Sequence, residues 1–159
     1  MLYTEVMRQF WWLGALLLLG CGNDDTGSSG PGKTQVTPAP PGAPYSELSE
    51  WHLFDSNGKP AERVVPYEVV SPLWSDATSK YRYLFVPEGT SIGYDDHGVW
   101  KFPVGTVLVK TFAYAVDARD ASSGERLLET RLLVHDPDGW APYTYVYLAD
   151  ESKAVRSSA

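Results

Sequence analysis

Hydrophobic and polar positions change rhythm three times along this chain. Residues 10–19 form an unbroken apolar run. Residues 22–44 then hold no aliphatic side chain except Val36, alanines aside, and are built from Gly, Ser, Thr, Pro, Asn and Asp. From residue 80 onward the period is two, as in a half-buried strand. Residues 80–86 put Tyr81, Tyr83 and Phe85 on one face and Lys80, Arg82, Leu84 and Val86 on the other. Residues 106–114 are rich in β-branched and aromatic side chains. Residues 127–135 and 143–148 continue the alternation, the last aligning Tyr143, Tyr145 and Tyr147. Turn-forming clusters separate these runs: Pro87-Glu88-Gly89, Asp95-Asp96-His97-Gly98, Pro103-Val104-Gly105 and Asp136-Pro137-Asp138-Gly139. The pattern predicts one all-β domain over residues 45–159, an antiparallel sheet arranged as a sandwich or curled on itself. Helix is confined to one or two short pieces, at 46–54 and 75–81, with Ser46 and Ser75 as N-caps.

One register follows from a hairpin loop at 115–124. Tyr114 then opposes Glu125, Phe112 opposes Leu127, Lys110 opposes Glu129 and Leu108 opposes Arg131. The expectation is that Lys110 and Glu129 lie side by side, an exposed cross-strand pair worth a few tenths to about 1 kcal/mol.

The start of the chain carries a different message. Arg8, the apolar run and then Leu18-Leu19-Gly20-Cys21 have the order of an export signal, with Met7 as an alternative start. The run is shorter than the ~20 residues that cross a bilayer. The segment is similar to the lipobox of bacterial lipoproteins, which implies a signal peptide over 1–20, a lipid on Cys21 and a new N-terminus there. A plain cleavable signal that leaves Cys21 as a free thiol is the competing reading. One acyl chain anchors marginally and two hold stably. Gly22 in place of an acidic residue favours the outer membrane, periplasmic face, over inner-membrane retention. Residues 21–44 read as a disordered tether, flexible in its Gly/Ser half and stiffer in its proline half.

Composition adds bounds. The formal charge is −7, with 43% hydrophobic and 13% aromatic residues, enough for one core and not for two domains. The acidic balance disfavours nucleic acid and anionic lipid as partners. Cys21 is the only cysteine, so no internal disulfide forms.

Candidate chemistry is sparse, and no catalytic or metal-binding residue is assigned. His52, His97 and His135 lie far apart in sequence, outside any nucleophile or metal motif. His97 beside Asp95 and Asp96 reads as a solvated turn, with a metal ligand as the alternative. His135 reads as a strand-end residue with a satisfied ring and His52 as partly buried; a haem-ligating pair among the three is the rarer reading. Asp55-Ser56-Asn57-Gly58-Lys59 starts like a calcium loop, but Pro66 stands where the bidentate Glu belongs, so it reads as an Asn-Gly turn. The stripe of Tyr143, Tyr145 and Tyr147, with Trp100 and Trp140 nearby, is read as a core face with wet hydroxyl edges, a ligand platform being the alternative. There is no Cys-x-x-Cys-His for covalent haem.

The segments at 64–76, 83–89, 100–112, 124–135 and Gly139-Trp140, taken together, resemble the N-terminal β-rich region of a family of bacterial exported c-type, often dihaem, cytochromes and conserved hypothetical lipoproteins. The Phe102-Pro103-Val104-Gly105-Thr106 stretch with Lys110 is also similar, more loosely, to small single-haem cytochromes with an antiparallel sheet. The resemblance runs from about Tyr45 to Val155. It implies haem c in full-length relatives and an electron-transfer or haem-protein partner. The haem-binding segments have no counterpart before Ala159, so the chain is expected to be C-terminally truncated, or a β-domain whose cytochrome part is a separate polypeptide. Two functions follow. One is a lipid-anchored, non-catalytic binding or scaffolding module. The other is a fragment of a haem-dependent oxidoreductase.

Overall fold

The computed structural model describes residues 35–158. The leader, Cys21 and the first part of the tether lie outside the described residues. Six strands form one antiparallel sheet in sequence order: β1 Val64–Pro66, β2 Ser79–Phe85, β3 Val107–Ala115, β4 Glu125–Asp136, β5 Gly139–Tyr147 and β6 Ala154–Arg156. The all-β expectation holds, and the two alternatives for its layering resolve to a single sheet. The four alternating runs are β2 to β5, each within a few residues of its expected span. The two edge strands, three residues each, lack the length that makes a period visible.

One face of the sheet packs. Phe85, Val107, Val109, Leu132, Val134 and Tyr145 point to it and are buried. Segment 35–61 covers them, led by Trp51 and Leu53, which are fully or almost fully buried. Each such aliphatic side chain contributes about 1.5–3 kcal/mol on leaving water. The packed body begins ahead of residue 45. Val36 is 6% exposed within the core, and the Thr37 N–H donates to the Trp51 carbonyl at 3.0 Å. Val36, with Ala39 packed beside it, therefore lies against the domain.

Helix is scarcer than expected. A 3-10 turn spans Leu48–Trp51, capped at Glu47 instead of Ser46; the Ser46 hydroxyl and the Glu47 N–H both donate to Glu50, at 3.0 and 2.8 Å. A second, Ala121–Ser123, sits in the β3–β4 loop, where the Asp120 side chain accepts from the Ser122 N–H. No helix forms at 75–81. Ser75 closes a tight turn onto Thr78, Asp76 and Ala77 take left-handed φ values of 40° and 59°, and the strand claims Ser79 onward.

The expected β3–β4 register is wrong by two residues. The hairpin closes with Ala115 opposite Glu125, one residue later than predicted. A bulge then leaves Leu128 without a partner, because Ala113 faces Leu127 while Phe112 faces Glu129. The two single-residue slips add to an even number, so Lys110 and Glu129 keep a common face but stand diagonally. Lys110 faces Arg131 instead.

Candidate functional site

On the open face of the sheet, β2, β3, β4 and β5 place Arg82, Lys110, Arg131 and Thr144 in one cross-strand row. The next row holds Lys80, Phe112, Glu129 and Val146. Directly opposed residues stand ~4.5–5.5 Å apart at Cβ, and like charges so placed repel. The Lys110 ammonium lies 4.7 Å from the Phe112 ring centroid and the Arg131 guanidinium 5.0 Å from it, so both cations meet the same ring. Glu129 takes Arg131 at 2.5 Å. Arg82 is 8% exposed, yet its nearest carboxylate, Glu68, is 4.0 Å away. Among the described residues no carboxylate comes within 4.0 Å of Lys80 or Lys110. Lys110 is held below the ordinary lysine range, first by burial and then by Arg82, Lys80 and Arg131, with Glu129 opposing.

Beyond this row the face hollows into a groove of about 500 Å³, bounded by Phe112, Arg126, Glu129, Arg131, Val146 and the turn at Ser75-Asp76. The bulge builds part of it. Without the extra residue at 128, Arg126 would point with the core-facing side chains. Running into that turn, Val70, Leu73 and Trp74 are 104%, 82% and 80% exposed.

A second hollow, about 340 Å³, opens on the packed face between Phe54, Tyr83 and Tyr147, with Asp55, Glu151 and Lys153 at its mouth. Burial pushes the Tyr147 phenol up, while Thr130 opposes. Nearby, Ser79 and Tyr81 both donate to the Glu125 carboxylate. Those bonds lower Glu125 and raise Tyr81. The tyrosine stripe divides between roles. Tyr145 is wholly buried, its hydroxyl accepting from Trp51 Nε1 at 2.7 Å and donating to the Tyr45 carbonyl at 2.9 Å. Tyr147 lines the hollow, and Tyr143 leans on Trp51.

The three histidines sit on three separate elements. His52 ends the first 3-10 turn in a left-handed conformation, exposed, with Nδ1 3.0 Å from Thr37 Oγ1, so the partial burial expected for it is not found. His97 is 90% exposed in a turn stapled by its own N–H donating to Asp95 Oδ1 at 2.9 Å. His135 donates Nδ1–H to the Pro103 carbonyl at 3.1 Å and stacks on Trp140 at 4.6 Å. Its ring is satisfied, as its strand-end position led us to expect. Asp55 Oδ1 accepts from the Asn57 and Lys59 N–H groups, a turn closed around Gly58 at φ +74°. Among the described residues, no three His, Cys, Asp or Glu side chains group to hold a metal ion.

Sequence reasoning missed the cationic row. Its members are spread over three strands, and only the bulge-shifted register brings Arg131 opposite Lys110. Compared with known proteins, the chain matches no family model, no curated protein and no solved structure.

Proposed function

We propose that this chain is an exported, lipid-anchored β-domain that works as a non-catalytic binding or scaffolding module beside an electron-transfer partner at the periplasmic face of the outer membrane. The observation that carries the binding role is the open face. Three apolar side chains, Val70, Leu73 and Trp74, each at least 80% exposed, lead into the Ser75-Asp76 turn that bounds a groove lined by Phe112, Tyr114, Arg126 and Arg131. Exposed apolar surface of this kind, edged by charge, is typical of contact sites. The anchor rests on the Arg8, apolar run and Cys21 order, and the electron-transfer setting rests on the resemblance over residues 45–155.

Two experiments test the reading. A Cys21→Ser variant expressed in a two-membrane bacterium is expected to lose lipid labelling and outer-membrane fractionation; parent-like fractionation and labelling would overturn the anchor. Haem added to the purified chain is expected to give a flat titration in the Soret region. A saturable Soret band would replace the module with the oxidoreductase-fragment reading.

A further inference from the structure

The geometry points to an oxyanion site on the open face, where Lys80, Lys110 and Arg131 together take a multivalent phosphate- or carboxylate-type group, with the buried Arg82 adding its charge from one end. The row sets three cations side by side on adjacent strands, an arrangement that costs stability unless something negative sits on it. Two carboxylates reach these four cations, Glu129 on Arg131 at 2.5 Å and Glu68 at 4.0 Å from Arg82, which leaves a surplus of two positive charges. At the groove beyond, Asp76 and Arg126 offset each other. The surplus is local. The whole chain carries −7, so the cations are concentrated here against the general balance. At physiological salt, charges more than ~8 Å off are largely screened, so an approaching anion feels this row rather than the distant acidic loops.

The details suit a divalent or larger oxyanion better than chloride. Arg82, 8% exposed, is fixed by the strand and the segment carrying Tyr67, whose N–H donates to the Arg82 carbonyl at 3.1 Å. It supplies a fixed positive charge at one end. Lys110 has a flexible ammonium at the centre, poised over Phe112. Arg131 closes the other end with a planar fork, part of which Glu129 already orients. Several oxygens on one anion can meet several of these donors at once. Lys110, held low first by burial and then by its cationic neighbours, gains from such a ligand.

The source of the oxyanion, a free solute or a lipid headgroup, is separable. The full chain is taken in a zwitterionic detergent at constant ionic strength and titrated with inorganic phosphate, and in parallel with phosphatidylglycerol doped into the micelles. Phosphate is expected to raise the thermal midpoint by about 3–6 °C at tenfold saturation and to shift the Lys110 side-chain titration, followed by NMR, upward. A response to both additions assigns a headgroup, and a response to phosphate alone assigns a solute. Lys110→Met is expected to melt higher than the parent without anion and to lose the phosphate response; Lys80→Gln, at a side chain with no hydrogen bond or ion pair among the described residues, is expected to weaken it several-fold. No parental response to either addition, or an unchanged response in both variants, would overturn the site.

Discussion

Trp51 and Tyr145 show how much of this fold turns on single polar atoms. Both rings are fully buried, and the Tyr145 hydroxyl is the only acceptor recorded for the indole N–H among the described residues. Tyr145→Phe removes a small group and leaves a buried donor unmatched, along with the Tyr45 carbonyl. The expected loss is about 1–3 kcal/mol, read from urea unfolding at unchanged slope. Trp51→Phe in the Tyr145→Phe background is expected to cost less than Trp51→Phe alone, because the orphaned donor is gone. The same tyrosines set an alkaline limit. Burial raises Tyr67, Tyr145 and Tyr147 above their ordinary value of 10.0. Below pH 10 both folded and unfolded forms keep these protons, and the stability is fully present. As pH climbs past 10 the unfolded chain releases them first, so stability falls through the window up to the raised folded values. Urea midpoints measured at increasing pH are expected to drop steeply there, and less steeply in Tyr147→Phe.

At the scale of elements, the ends of strands are where small residues decide. Gly105 stands at φ +88°, and its N–H donates to the His135 carbonyl at 2.7 Å, which pins the start of β3 to β4. A Cβ there would meet Pro87 Cγ at 2.9 Å. Gly105→Ala therefore combines an unfavourable backbone region with a clash, and a loss of about 1–3 kcal/mol is expected in thermal or urea unfolding. The sequence made the four central strands legible because alternation over seven or more residues leaves a period to read. Lys80, Arg82 and Leu84 were assigned to the face opposite Tyr81, Tyr83 and Phe85 from that period alone, and there they lie. Register was not legible. Nothing in Glu125-Arg126-Leu127-Leu128-Glu129 announces which leucine is left over, since both fit a strand. Cross-strand neighbours depend on that choice, so the cationic row was hidden while its members were in plain view. The turn at Ser75 was misread for a related reason. Serine suits a helix cap and a tight turn alike, and the left-handed Asp76 and Ala77 that decide between them carry no strong sequence mark.

For the whole molecule, the two faces of the sheet have separate duties. The packed face holds the hydrophobic core, while the margin at Val70, Leu73 and Trp74 lies outside it. Replacing Val70, Leu73 and Trp74 together by serine is expected to move the thermal midpoint by no more than about 6 °C, since three exposed substitutions at up to roughly 0.5 kcal/mol each sum to about 1.5 kcal/mol. A large drop would mean that the loop is part of the core. The same triple variant is expected to be more soluble at high concentration. The three-residue borders β1 and β6 have a further consequence. Under the lipid anchor proposed above, chains would be confined to two dimensions and would meet edge to edge far more often than in bulk. Borders this brief, one ending in Pro66, offer little backbone for a neighbour to zip onto. Crowding on a lipid surface would then bring these molecules together without fusing them into fibres.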